Sequence, residues 1–208
     1  TYYTDTVDAE GNKILAGADN GNGVYLPEGV TYIHSEAFAG CSKITYAEIP
    51  ASVTDFGTDA SGNGVFGNCT ALEEVKFLGD DKITFIPKNA FINCSSLAKI
   101  KLPSSVNQML EAAFFGCSSL SEFTLPENLT EIPKNAFLNC SSLSNIDTSK
   151  ITFFGPSAFK GTAIKEAVIN VDVVTAYYTN NATNNARVYM SMSSTFENCT
   201  ELTKVTFG

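Results

Sequence analysis

The sequence has little positive charge, a single histidine and no long apolar run. Its 208 residues hold 13 Lys and Arg against 22 Asp and Glu, a net charge of -9 with pI near 4.5. A nucleic-acid binder needs a basic face to neutralise phosphate, so that class is excluded. Apolar stretches fall far short of the roughly 18 to 20 residues that cross a bilayer, and no membrane insertion is expected. Neither an initiator Met nor a signal peptide opens the chain, which reads as soluble and as a processed or trimmed piece. The lone His34 leaves no general base for a Ser/His pair elsewhere and is a poor start for a zinc site. What is present is a 44% apolar composition, enough for a real core in one sizeable domain or two small ones.

The acidity is uneven. Residues 1 to 40 carry Asp5, Asp8, Glu10, Asp19, Glu28 and Glu36 against Lys13 alone. From residue 41 onward acids and bases are mixed, as on an ordinary solvated surface.

One phrase is written seven times: Phe, any residue, a small polar residue, then Cys or Thr. Its anchors are Phe38, Phe66, Phe91, Phe114, Phe137, Phe159 and Phe196, separated by 28, 25, 23, 23, 22 and 37 residues. The underlying period is about 23, with insertions in the second, third and seventh units, and such a period indicates a solenoid. After each anchor comes L-x-x-I-x-L: Leu72, Val75, Phe77; Leu97, Ile100, Leu102; Leu120, Phe123, Leu125; Leu143, Ile146, Thr148. Alternation of this kind is a short strand with one buried face. Pro27, Pro50, Pro103 and Pro126 come directly after such strands, where a missing N–H ends a ladder. A second apolar cluster (Val30 with Ile33, Val106 with Met109, Leu129 with Ile132, Ile151 with Phe154) supplies an opposite wall. No unit buries its apolar face alone, so the core is a stack of rungs at roughly 4.8 Å per step.

These phrases together, L-x-x-I-x-L-P, then V-x-x-I, then A-F-x-x-C-S-x-L, resemble the BspA-like class of leucine-rich repeats over about residues 24 to 208. The resemblance implies a beta-rich α/β leucine-rich-repeat solenoid, a right-handed curved stack of about seven 23-residue repeats. It also implies an exported, extracellular or cell-surface protein of host-associated bacteria, with adhesion or protein binding as its role. The chain departs from the pattern at Thr162, which replaces Cys, at Ala47 and Ala167 in two strands, and at an insertion between Asn170 and Ser194. The expected organisation is one domain: a capping hairpin over residues 1–24, repeats over 25–208 and an inserted hairpin at about 170–194. Residues 13–27 read as the strand, Gly/Asn turn and second strand of that cap. Leu202, Val205 and Phe207 form the strand of a last rung with an open, sticky edge.

Cys41, Cys69, Cys94, Cys117, Cys140 and Cys199 share one repeat position and so form a column. Pairing neighbours would strand Cys140 and Cys199 two rungs apart, roughly 10 Å against the roughly 7 Å that a disulfide spans. Free, buried thiols acting as small hydrophobes are expected instead. No cofactor or metal is expected either. Asp59 to Gly64 imitates half of a calcium loop but lacks its closing Glu, and reads as a glycine-rich turn. The Asn-x-Ser/Thr sequons at Asn68, Asn93, Asn139 and Asn198 are explained by the repeat's own Asn-Cys turn; two more stand at Asn128 and Asn181. Glu122 near Asp147 is the one carboxylate pair the stack would bring together, on an open face without the dry pocket of acid/base catalysis. The protein reads as no enzyme.

Outward residues of the strands stack into two rows. One holds Tyr46, Glu74, Lys99, Glu122, Asn145, Glu166 and Lys204; the other holds Glu48, Lys76, Lys101, Thr124, Asp147, Val168 and Thr206. Opposite charges on neighbouring rungs, Glu74 to Lys99 to Glu122, suggest a self-neutralising ladder; an extended protein-binding face is the other reading. The inserted hairpin offers Tyr177, Tyr178 and Tyr189, a residue type enriched at recognition sites. The expected function is a non-catalytic binding or adhesion module for an extracellular or host protein. A structural spacer is the first rival and a glycan-binding module the second.

Overall fold

In the computed structural model the described residues are 23–57, 63–79, 82–169 and 194–207, together with the backbone of strands Tyr3–Val7, Lys13–Leu15, Tyr177–Asn180 and Arg187–Met190. Two walls of parallel strands face each other across one continuous core that runs from Val24 to Ile169. The first wall orders Gly23–Tyr25, Tyr46–Ile49, Glu74–Phe77 and Lys99–Ile100 side by side, and pairs Glu166–Ile169 with Lys204–Phe207 farther along. On the second wall Tyr32–Ile33 pairs with Asp55–Phe56, Phe85–Ile86 with Gln108–Met109, and Glu131–Ile132 with Phe153–Phe154. Each strand carries its alternation into the fold: Val75 is buried between exposed Glu74 and Lys76. Ala47 and Ala167 keep their places as buried strand residues.

The beta-rich solenoid expected from the repeat is what the chain forms, and among the described residues it has no helix. Where the walls join, around each Phe anchor, the chain runs in consecutive turns. Two left-handed residues in every rung but that of Phe66, which has one, shape them. One directly precedes the Cys or Thr (Gly40, Asn68, Asn93, Gly116, Asn139, Gly161, Asn198); the other lies two residues before Phe (Glu36, Asn89, Ala112, Asn135, Ser157, Ser194). Gly and Asn tolerate this conformation, which accounts for the first set. The second set takes whatever residue the stack imposes. At Gly116 a Cβ would stand 2.6 Å from Asn93 Oδ1, so a side chain there requires the Asn93 amide to shift.

This joining wall is the most regular part of the molecule. The seven Phe rings stack nearly parallel from Phe38 to Phe196, with neighbouring centroids 5.1 to 5.8 Å apart. Each Phe from 38 to 159 donates its N–H at 2.8–2.9 Å to the carbonyl just before the next rung's Phe. The cysteines extend the pattern. The thiols of Cys69, Cys94, Cys117 and Cys140 donate at 3.0–3.1 Å to the Phe carbonyls of the preceding rung, Phe38, Phe66, Phe91 and Phe114. All six cysteines are free thiols; Cys41 and Cys199 are half-buried and the other four buried. Thr162 breaks the sequence by turning its hydroxyl to its own rung's Phe159 O at 2.8 Å, and Cys199 resumes it with a thiol donated to that same carbonyl at 3.0 Å.

The prolines mark turns as well as strand ends: the carbonyls of Pro50, Pro103 and Pro126 accept the N–H of Val53, Val106 and Leu129 at 3.1–3.2 Å. Outside the strand rows, Glu111 bridges two rungs by meeting Lys88 at 3.4 Å and Lys134 at 3.1 Å.

At the ends of the chain one expectation changes and one holds. Lys13–Leu15 pairs antiparallel with Tyr3–Val7, which in turn touches the second wall through Val7 and Tyr32; Gly23–Tyr25 is instead the first parallel strand of the solenoid. The hairpin partner of Lys13–Leu15 therefore lies before it in the chain, because Val24 is needed inside the core. At the other end Val205 and Phe207 are 39% and 66% exposed, since no later rung among the described residues covers them.

Candidate binding face

The outward rows of the first wall assemble in the expected register as far as Lys99. Tyr46 stands opposite Glu74, and Glu74 opposite Lys99; Glu48 stands opposite Lys76. Past Ile100 the backbone ladder stops. Only an isolated bridge joins Glu122 to Asn145, and pairing resumes between Glu166–Ile169 and Lys204–Phe207. In the interrupted stretch the strand positions include Ser121, Ser144, Asn145 and Asp147, and Asn and Asp in particular are depleted in strands. Thr148 replaces part of the missing ladder: its buried hydroxyl donates to Val168 O and accepts the Val168 N–H, both at 2.8 Å.

The side chains divide in the same way. Tyr46 is half-buried, donates its hydroxyl to Glu48 at 2.8 Å and lies 5.6 Å from the ring of Tyr25. Burial first, then the Glu48 acceptor and the charges of Glu48 and Glu74, push its phenol up to about 12. Lys76 reaches Glu48 at 3.7 Å, and at the far end Lys204 reaches Glu166 at 3.1 Å. Between them the expected run of opposite charges is incomplete: Lys99 and Lys101 have no carboxylate within 4.0 Å among the described residues. Glu122 and Asp147 do not form a working pair either. Asp147 turns to its own loop, accepting the Ser149 N–H at 2.9 Å, and this bond with the nearby Lys150 holds its carboxyl below the usual range.

Shallow grooves open where the ladder fails. One, of about 650 Å³, spans three rungs and is lined by Glu74, Lys76, Leu78, Lys99, Lys101 and Glu122 among others. Glu122 also borders the two next, of about 520 and 370 Å³. Leu78, at 45% exposure, is a surface residue that the repeat does not reveal, since the outward rows read from sequence end at Lys76. Tyr25 escapes the sequence reading for the same reason as the cap hairpin: its strand belongs to the sheet.

The inserted segment has the expected antiparallel form, with Tyr177 opposite Met190 and Tyr178 opposite Tyr189. The side chains of Tyr177, Tyr178 and Tyr189, and the residues from Asp59 to Gly62 of the glycine-rich turn, lie outside the described residues. His34 bonds through Nδ1 with the Ser35 carbonyl and meets Tyr32 edge to face at 6.4 Å. No group of three or more metal-ligating side chains forms among the described residues, and no helix there is long and apolar enough to cross a membrane.

Two parallel walls joined by ring-stacked turns at a period of 22 to 28 residues, with one interval of 37, define a leucine-rich-repeat solenoid. The sequence model of the BspA type leucine-rich repeat region matches six copies over residues 3–64 and 59–186, and the chain belongs to that family. Six copies is close to the about seven repeats expected. A leucine-rich cell surface protein of Faecalibacterium prausnitzii superposes with a TM-score of 0.69 at 27% identity, over 86% of this chain and 43% of its own. A leucine-rich-repeat protein of Eubacterium ventriosum gives 0.59 at 32% identity, over 67% of this chain and 36% of its own. The T. pallidum leucine-rich-repeat protein gives 0.51 at 27%, over 67% and 75%. The chain thus spans less than half the length of the first two. No protein of curated function matches the sequence.

Proposed function

We propose that the chain is a non-catalytic binding or adhesion module, exported and held at the cell surface, that recognises an extracellular or host protein through its strand wall. The supporting observation is the break in the ladder. Over the rungs from Glu74 to Asp147 the wall presents exposed charged and polar side chains around open grooves, a shallow extended surface of the kind solenoids use for partners. Similarity to the leucine-rich cell surface protein of Faecalibacterium prausnitzii supports the location.

The spacer reading draws on a different observation, the ion pairs Glu48–Lys76 and Glu166–Lys204, which neutralise parts of the same wall from within. Binding of the whole purified chain to arrays of extracellular-matrix proteins and glycans separates the readings. A variant with residues 172–192 replaced by a short turn is measured beside it. Saturable protein binding that survives the replacement supports the strand wall, and binding lost with it moves recognition to the inserted hairpin. Binding to glycans alone selects the glycan module, and no binding at high micromolar concentration selects the spacer.

A further inference from the structure

The strand rows obey a simple electrostatic rule with one exception. Neighbours along a row are opposite in charge or include a neutral residue, as in Glu48–Lys76, Glu74–Lys99 and Glu166–Lys204. Lys101 breaks it. It comes one residue after the paired Ile100, as Lys76 comes one after Val75, so the two lysines occupy adjacent rungs of the same row. Like charges so placed destabilise a sheet. Lys99 shares the rung of Lys101 and Glu48 already holds Lys76; Glu74 and Glu122 line the same groove, but no carboxylate of the described residues stands within 4.0 Å of Lys101. A local violation of this sort, in a chain that obeys the rule elsewhere, is expected where function outweighs stability.

Its surroundings are also unusual. Lys101 lines the groove of about 650 Å³ together with Lys76, and the same groove is bordered by Leu78, an apolar side chain 45% exposed just beyond the strand that carries Glu74 and Lys76. Main-chain pairing stops on this rung, so the groove is open on its far side toward Ser121 and Thr124. A cation without an ion-pair partner next to an exposed leucine describes a partner with one carboxylate and one apolar anchor close together.

We infer that the groove between Lys76, Leu78 and Lys101 receives an extended peptide segment that sets a carboxylate side chain between the two ammonium groups and an apolar side chain on Leu78. The inference rests on the protein-binding reading above and names the chemistry of its partner. The carboxylate is attracted by both ammonium groups, and that attraction offsets their mutual repulsion. Covering Leu78 adds an apolar contact of the kind that anchors interfaces.

The test uses the full chain and fluorescence anisotropy of labelled peptides alternating Glu with Leu, and Gln with Leu, beside a sulfated oligosaccharide. The Glu peptide binds saturably and the Gln peptide about tenfold or more weaker. Lys101→Glu reduces binding of the Glu peptide by at least about tenfold, Leu78→Ser by several-fold, and Lys88→Gln, outside the strand rows and their grooves, leaves it unchanged. Lys101→Glu also melts no lower than the parent chain, since it converts a like-charged pair into an opposite one; this separates lost binding from lost folding. Equal binding of the Glu and Gln peptides, indifference to Lys101→Glu, or preference for the sulfated oligosaccharide overturns the inference. If array proteins bind and Lys101→Glu leaves them untouched, this inference falls while the binding reading stands. If no array protein binds, that reading falls by itself.

Discussion

The joining wall and the strand wall are built from the same repeats, yet only one is continuous. From Phe38 to Phe159 every turn stacks its ring on the next and hands its Phe N–H onward, and the ring column runs on to Phe196, insertions notwithstanding. The strand wall loses its ladder after Ile100 and recovers it only at Glu166. What differs is where the specifying group sits. On the joining wall the buried ring and thiol themselves fix the register, and they are present in nearly every unit. On the strand wall only the buried Leu and Ile positions are fixed, so outward Ser, Asn and Asp let the main chain part while the core holds. Burial, more than the strand ladder, maintains this fold.

The largest expected effect is on the joining wall at alkaline pH. Burial pushes the Cys69 thiol from 9.0 up to about 12, and raises Cys94, Cys117 and Cys140 in the same sense. The folded state keeps these thiols neutral, so their contribution is complete below about pH 9, where unfolded thiols begin to ionise, and is lost as pH rises from there toward 12. Each thiol contributes a slope of about 1.4 kcal/mol per pH unit in that window. Urea unfolding at stepped pH should show a steep alkaline loss that becomes shallower in Cys140→Ser; an unchanged slope would show that the thiols are not the titrating groups.

Next comes Phe114→Ala. Phe114 touches Phe91, Phe123 and Phe137 and is fully buried, so its truncation should cost about 3–5 kcal/mol by chemical denaturation. Phe196→Ala, at the half-buried end of the stack, should cost markedly less; equal losses would contradict a continuous ring column.

On the strand wall, Thr148→Val keeps shape but leaves the Val168 N–H and carbonyl without their hydroxyl partner. About 1–3 kcal/mol is expected, with faster amide exchange at Val168 as the local readout. The smallest effect belongs to Glu111→Gln, under about 1 kcal/mol and reduced by salt, because its lysines are more than half exposed. Burial raises the Glu111 carboxyl, but Lys134 and Lys88 outweigh it and hold it below 4.5. Its contribution is therefore present above the unfolded value and disappears as pH falls through the lowered one. An acid titration of the variant should lack this component.

The columns are plain in the sequence because each is carried by one residue type at one spacing: Phe at the anchor, Leu and Ile in the strand, Cys in the turn. The second left-handed position is not legible there, since Glu36, Ala112 and Ser157 share a conformation without sharing chemistry. The partner of Lys13–Leu15 is misread from sequence because Gly and Asn between it and Gly23 resemble a hairpin turn, and nothing local marks Val24 as a core residue. On the binding face, row membership can be read while contact cannot. Register places Glu74 opposite Lys99, but exposed side chains choose among solvent and neighbours, and only Glu48–Lys76 and Glu166–Lys204 close on this wall.

The thiol-to-carbonyl bond gives the units of Cys69, Cys94, Cys117 and Cys140 one plug and one socket each, the Sγ–H reaching back and the Phe carbonyl open to the next rung. Units so equipped are interchangeable: a rung removed or duplicated whole leaves every plug facing a socket. The segment from Thr162 to Cys199 illustrates the tolerance, since Cys199 finds Phe159 O across 40 residues as readily as Cys140 finds Phe114 O across 26. A protein with this coupling changes its reach in whole-rung steps, and accommodates inserted loops between steps, without redesigning its core.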